Sequence, residues 1–96
     1  LDLNETACDL AVCLAMASAL MDKPIGDKTI AIGEVGLAGE IRNVTFLENR
    51  LREAQRIGFT KAIVPKHSLK QLELSEFSDM ELIGVSYIRD AIQAIK

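Results

Sequence analysis

The sequence predicts one small α/β domain in which helices pack on a mixed sheet. Runs rich in isoleucine and valine alternate with segments whose apolar residues recur at helical spacing, which is typical of this fold class. Hydrophobic residues fill 49% of the 96 positions, which is enough for one core and too many for a disordered chain. The cysteine count of two is too low for a disulfide framework.

The first predicted element is a helix over residues 5–22 that is apolar around nearly its whole circumference. Asn4 is suited to cap its start, and Pro24 with Gly26 ends it. Because a helix without a polar face has to be covered, we expect other parts of the fold on several sides of this one.

Cys8 and Cys13 fall in this helix, where their spacing places them on different sides and prevents a bridge between them. Their alanine, leucine and valine neighbours indicate small hydrophobic roles in a reducing compartment. The apolar stretch is too short to cross a bilayer, and no signal peptide precedes it. We therefore expect a cytoplasmic protein without a membrane partner.

A β-hairpin is predicted next. Residues 29–35 are rich in β-branched side chains, and residues 36–39 (GLAG) allow a tight reversal into a short strand around 40–44. Glycines recur here at three-residue spacing, but this spacing matches no phosphate-binding loop, and a strand rather than a helix follows. We interpret them as turn and close-packing residues.

The best-defined element is an amphipathic helix that opens at Thr45. Its apolar face carries residues at helical spacing: Leu47, Leu51, Ala54 and Ile57. Thr45 and Glu48 fit a capping box, and Gly58 fits the left-handed position after the last turn.

A short apolar run at residues 61–65, ended by proline, is typical of a buried parallel strand reached by a crossover connection. The remaining prediction is a short helix at 68–72, a polar loop at 75–79, a strand at 80–85 and a helix from Tyr87. The last helix has an apolar stripe: Ile88, Ala91, Ile92 and Ile95.

The sequence offers little for catalysis. His67 is the single histidine and has no cysteine or carboxylate cluster at ligand spacing, so it is interpreted as a surface residue near a helix start. We expect no metal and no cofactor in this domain.

Charge is segregated along the chain, because residues 42–70 carry a net +5 within a protein of net charge −3. The two exposed cations Arg52 and Arg56, with Arg42 and Lys66, are the candidates for contacting DNA phosphates. An ordinary solvated face is the other interpretation of the same residues.

Several ordered blocks carry a family resemblance. The runs GEVGLAGEIR (33–42), ENRLREA (48–54) and GFTKAIVPK (58–66) resemble the C-terminal domain of the RadA (Sms) family of bacterial DNA-repair proteins. The opening ETACDLA (5–11) fits the same family, so the resemblance covers almost the whole chain. Asn43 departs from it, because a proline commonly follows the arginine there.

That resemblance implies a fold similar to the proteolytic domain of Lon, of the ribosomal protein S5 domain 2-like type. In the corresponding register Ala7 stands at the position of the Lon serine and Glu48 at that of its lysine. A methyl group cannot attack a carbonyl, and a carboxylate cannot replace the activating amine. The resemblance therefore implies a pseudoprotease, and residues 1–96 as one partial domain whose first strands are missing.

For the longer parent protein, the resemblance implies a hexameric ring that drives branch migration of recombination intermediates with ATP, and binds ATP, Mg and Zn outside this segment. The expected partners are further copies of the same chain and DNA. Opposite charges across each subunit boundary would suit head-to-tail contacts. Two alternatives remain open: an active Lon-type serine protease relative, and a stand-alone binding module.

Overall fold

A computed structural model describes residues 9–21 and 28–95 of the chain. Its helices are α1 (Asp9–Met21), α2 (Leu47–Arg56) and α3 (Ile88–Ala94). Its strands are β1 (Thr29–Ala31), β2 (Glu34–Val35), β3 (Ile41–Arg42), β4 (Lys61–Pro65) and β5 (Glu81–Val85). Two 3₁₀ helices, Lys66–Gln71 and Leu74–Phe77, connect β4 to β5. The predicted cap at Asn4, the thiol of Cys8 and the turn at Pro24 and Gly26 lie outside the described residues.

The strand β4 is the centre of a three-stranded parallel sheet with the order β1-β4-β5. Thr29 is in register with Lys61, and Ile63 is in register with Ile83. Every residue of β4 after Lys61 is buried, as expected for a parallel strand covered on both faces. The predicted buried strand is therefore confirmed.

The hairpin forms a second sheet, in which β2 and β3 pair antiparallel. The sequence predicted one continuous strand over residues 29–35 in a single mixed sheet, and this was wrong. The chain leaves the parallel sheet at Ile32 and Gly33, where the Gly33 carbonyl accepts a hydrogen bond from the Leu10 N–H at 3.0 Å. A Cβ on Gly33 would lie 3.0 Å from the Ile41 side chain and 3.2 Å from that of Leu10, so glycine allows a close approach at this bend.

Side chains alternate across β4 and fill two cores, one on each face of the sheet. The first core contains Ile32, Leu47, Leu51, Ala54, Ala62, Val64, Phe77 and Met80. The second contains Leu10, Leu14, Ile41, Ile63, Val85 and Ala91. α2 thus packs on one face of the sheet, and α1 with α3 packs on the other.

α2 begins later than the sequence indicated. Its first residue is Leu47, and its N-cap is Phe46, which has φ 58° and makes no side-chain capping hydrogen bond. The predicted capping box of Thr45 and Glu48 was therefore wrong. The predicted end is confirmed, since Gly58 has φ 109° and the Phe59 N–H donates to the Ala54 carbonyl at 3.0 Å.

The amphipathic pattern of α2 was correct for three of its four apolar positions. Leu47, Leu51 and Ala54 are buried, whereas Ile57 is 59% exposed. Ile57 is the C-cap, so its backbone already leaves the helical path and its side chain no longer follows the buried stripe.

α1 is covered on one side only by the described residues, contrary to the prediction. Leu10 and Leu14 are fully buried, but Val12 is 45% exposed, Met16 63% and Leu20 88%. The half-buried Cys13 is a free thiol among small apolar neighbours. Composition alone could not distinguish a helix that is enclosed from one that leaves an apolar face uncovered.

The segment after β4 also differs from the prediction. The first 3₁₀ helix begins at Lys66, two residues earlier than expected, and His67 lies exposed within it as predicted. The predicted polar loop at 75–79 includes part of the second 3₁₀ helix, which buries Phe77 in the first core. The terminal helix after Tyr87 is confirmed, with Ala91 buried.

Within the described ranges 9–21 and 28–95, no helix combines the length and the apolar character needed to cross a membrane.

The α2 face provides a stability test. Replacing the fully buried Leu51 with alanine is expected to lower the free energy of unfolding by about 2–5 kcal/mol, because it leaves a cavity in the first core. The matched control Ile57→Ala, at a largely exposed site, should change it by no more than about 0.5 kcal/mol. Urea unfolding followed by circular dichroism measures both, and equal losses would contradict the assigned core.

Candidate functional site

A cleft of about 280 Å³ lies between the start of α2 and the first 3₁₀ helix. Its walls are Asn43, Val44, Phe46, Leu47, Glu48, Asn49, Ser68, Gln71 and Leu72. The cleft includes Glu48, the position at which the Lon resemblance places the dyad lysine. It is formed where β3 turns into α2 and where β4 ends, so residues distant in the sequence meet there.

A half-buried hydrogen bond joins the two sides of this cleft. The Ser68 hydroxyl, in a residue only 2% exposed, donates to Oδ1 of Asn43. The same oxygen accepts the Val44 N–H at 3.1 Å. A proline at position 43 could accept neither bond, so the departure from the RadA pattern has a structural role here.

The rim of the cleft carries Phe46, whose side chain is 72% exposed. Phe46 is the non-glycine residue with positive φ in the described part of the chain, a conformation that costs about 1–3 kcal/mol. Arg50 stabilises this turn with two hydrogen bonds. Its backbone N–H donates to the Phe46 carbonyl and its side-chain Nε donates to the Thr45 carbonyl, both at 3.0 Å.

Glu48 is bound to Arg52 one helical turn along α2, so it serves in an ion pair instead of the helix cap that the sequence predicted. Arg52 also donates to Oδ1 of Asn49 at 2.9 Å and to Oε2 of Glu76 at 2.8 Å. The bond to Glu76 raises the pKa of the Arg52 guanidinium. Arg52 therefore ties the cleft wall to the second 3₁₀ helix.

Ala7, the position at which the Lon resemblance places the dyad serine, lies outside the described residues, so its distance from Glu48 is not part of the described structure. The hydroxyl that lines the cleft belongs to Ser68, and it is buried and already bonded to Asn43. Among the described lining residues, no hydroxyl or thiol is therefore paired with a basic side chain that could activate it.

The four DNA candidates are placed differently. Arg52 and Arg56 are both exposed on α2, and Arg56 is paired with Glu53, whose pKa is lowered by that hydrogen bond. Arg42 pairs with Glu40 at 2.9 Å. Lys66 is exposed at the start of the first 3₁₀ helix and has no ion pair with any described residue.

Sequence reasoning missed the contribution of Phe46, Asn43 and Ser68. Asn43 was noted only as a departure from a family pattern, and Ser68 only as a position in a short helix. The one available signal was the mismatch at position 43. Within residues 9–21 and 28–95, no group of three or more His, Cys, Asp or Glu side chains is arranged to hold a metal ion.

Comparison with known proteins gives two findings. The family model described as subunit ChlI of Mg-chelatase matches residues 2–68. Among the curated relatives are proteins named DNA repair protein RadA. One from Streptococcus pyogenes serotype M3 is 41% identical over 93 residues, which are 97% of this chain and 20% of the relative.

Two further relatives with the same name agree with this. The chain is 43% identical over 93 residues to the protein of Streptococcus pneumoniae, covering 97% of the chain and 22% of the relative. It is 43% identical over 95 residues to that of Aquifex aeolicus, covering 99% and 20%. The chain thus spans about a fifth of the length of the curated relatives it matches.

The hydrogen bond across the cleft predicts a coupled effect on stability. Asn43→Ala is expected to lower the free energy of unfolding by about 1–3 kcal/mol, because the buried Ser68 hydroxyl loses its acceptor. Adding Ser68→Ala should recover part of this loss, since it removes the unsatisfied donor. Asn49→Ala, at an exposed site, is the control. Urea unfolding of the variants measures the coupling, and purely additive losses would contradict the assigned bond.

Proposed function

The chain belongs to the ChlI family and, within it, to the RadA-type sequences, and on this premise we propose that it is a non-catalytic assembly domain of a RadA-type DNA repair protein. The proposed parent is a longer cytoplasmic protein that forms a hexameric ring and drives branch migration with ATP. ATP, Mg and Zn would bind in other parts of that protein, and this Lon-like domain would hold the subunits in register.

The observation that carries the non-catalytic part of the proposal is the state of Glu48. Its carboxylate lines the cleft and is bound to Arg52. A carboxylate engaged in this way supplies neither an ammonium group nor a neutral amine to activate a nucleophile. The buried and bonded hydroxyl of Ser68 does not offer a replacement nucleophile.

The assembly part is supported by the exposed face of α1. Val12, Met16 and Leu20 recur every fourth residue, so they lie along one side of the helix and leave an apolar strip exposed. Contiguous exposed apolar surface is typical of interaction sites. A ring of identical subunits needs head-to-tail contacts, and an uncovered helix face can supply one half of such a contact.

The DNA part of the proposal is an auxiliary contact to phosphates, in keeping with the name of the relatives. Carboxylates already offset the charges of Arg42, Arg52 and Arg56. Lys66 lacks such a partner among the described residues, so it is the strongest of the four candidates. Phosphate contacts of this kind contribute affinity without reading the base sequence.

The non-catalytic role predicts no peptidase activity. We expect the full-length parent, with ATP and DNA present, to cleave fluorescently labelled casein no faster than buffer alone. Glu48→Gln should leave that result unchanged, because the carboxylate has no catalytic task. Cleavage by the parent that is abolished by Glu48→Gln would contradict the proposal and favour an active relative of Lon.

The assembly role predicts that the α1 face is needed for the ring. The double change Met16→Asp with Leu20→Asp should convert hexamers of the full-length protein into smaller species in mass photometry, because carboxylates are costly to bury in an apolar contact. Leu37→Asp, at a fully exposed hairpin residue, is the matched control and should leave the mass unchanged. Hexamers that persist in the double variant and after deletion of the domain would contradict the proposal.

A further inference from the structure

We infer that the cleft beside Phe46 binds an unpaired nucleotide of single-stranded DNA, whose base stacks on the Phe46 ring while side-chain amides contact the base edge. This inference rests on the proposed role of the parent protein on DNA. It assigns to the domain a second kind of contact, made to a base instead of to a phosphate.

The first observation is the strained backbone conformation of Phe46, whose side chain is exposed. Its backbone has φ 58°, a left-handed conformation that glycine adopts freely and that an aromatic residue adopts only under strain. The side chain gains little burial in return, because 72% of it remains exposed. Strained residues of this kind cluster at sites that hold ligands.

The second observation is the chemistry of the walls. Beside the exposed ring lie three side-chain amides, from Asn43, Asn49 and Gln71. The oxygen atoms of Asn43 and Asn49 already accept hydrogen bonds, whereas their amide nitrogens donate none to the described residues. These N–H groups are suited to the carbonyl oxygens and ring nitrogens of a base.

The volume of the cleft is suited to one nucleotide base. About 280 Å³ is enough space for a single base. An aromatic platform with amide donors at its edge is the usual way in which proteins bind unpaired bases of either nucleic acid. A base inside a duplex would first have to leave its stack, so the cleft favours single strands.

The third observation is the charge around the cleft. Lys66 and Lys70 are exposed on the 3₁₀ helix that contributes Ser68 and Gln71, and neither has an ion pair with a described residue. The one carboxylate among the described lining residues, Glu48, is paired with Arg52, which it shares with Glu76. The 3₁₀ helix that contributes to the cleft wall thus carries two cations, unpaired among the described residues, that are available to the phosphates of a bound strand.

The inference is tested on the full-length protein with a 20-nucleotide oligothymidine and a duplex of equal length, by fluorescence anisotropy. Phe46→Ala should weaken single-strand binding by about 5- to 100-fold, the range expected for one stacked base, and change duplex binding little. Phe46→Trp should retain binding. Tyr87→Ala is the control, since Tyr87 is an exposed aromatic residue that does not line this cleft.

Salt dependence separates stacking from charge. The slope of log affinity against log salt should be unchanged in Phe46→Ala and should fall by about 0.7 in Lys66→Gln, which removes one phosphate contact. Thermal unfolding of each variant verifies that the fold is intact.

A crosslinking experiment distinguishes this cleft from DNA-binding sites elsewhere in the protein. Oligothymidine carrying 5-iododeoxyuridine should crosslink to Phe46 under ultraviolet light, identified by mass spectrometry. Absence of this crosslink, together with unchanged single-strand affinity in Phe46→Ala, would overturn the inference. Equal losses for single strands and duplex would overturn it too, as would displacement of the crosslink by an acidic peptide at lower concentration than by the oligonucleotide.

The inference and the proposed function can fail separately. Phe46→Ala should leave the hexamer intact, because the residue lies on α2's side of the sheet and the exposed face of α1 lies on the other. If Phe46→Ala loses single-strand binding while the hexamer stays intact, the result supports nucleotide binding in the cleft and leaves the assembly role to its own test. Hexamers that persist both in the Met16 and Leu20 double variant and after deletion of the domain, together with a positive crosslink in the intact protein, would reject the assembly role and keep the cleft.

Discussion

The burial of β4 on both faces is the constraint on which the rest of the structure depends. Ala62 and Val64 point into the first core, and Ile63 points into the second. A central parallel strand needs a neighbour on each side and a helix layer above and below. The positions of β1, β5, α2 and α1 all follow from that requirement.

The cleft is a consequence of the same arrangement. The chain leaves β4 at Pro65 and winds at once into the first 3₁₀ helix, which packs so closely on β5 that a Cβ on Gly84 would lie 2.7 Å from the Leu69 side chain. α2 enters from the other side through the strained turn at Phe46. The cleft lies between these two elements, and the hydrogen bond from Ser68 to Asn43 joins its two sides.

Two residues at which the chain departs from the patterns it resembles lie at this cleft. Asn43 lies where the family commonly has a proline and accepts a hydrogen bond from Ser68, while Glu48, the position at which the Lon resemblance places a lysine, pairs with Arg52. Both side chains are thereby fixed at the surface of the cleft. Such a surface is available for binding, and its polar groups then serve to orient a ligand.

The sequence by itself determined the elements whose cause is local. The spacing of Leu47, Leu51 and Ala54, the glycine after α2 and the apolar run of β4 each act within a few residues, so pattern and propensity were sufficient. Only the tertiary structure decided the contacts between distant segments. Asn43 and Ser68 are 25 residues apart, and Arg52 and Glu76 are 24 apart, so no local pattern could reveal either pair.

The same distinction explains the exposed face of α1 and the split of the predicted strand. An apolar helix shows that burial is favourable, but the neighbouring elements decide which side is buried. Among the described large side chains of α1, only Leu10 and Leu14 lie in a core. Likewise, residues 29–35 are rich in β-branched side chains that favour strands, whereas the bond from the Leu10 N–H to the Gly33 carbonyl, between distant segments, accompanies the point at which the chain leaves its sheet. The hydrophobic effect depends on the total apolar area that is buried and is not directional. Close packing between the elements therefore decides which residues contact each other.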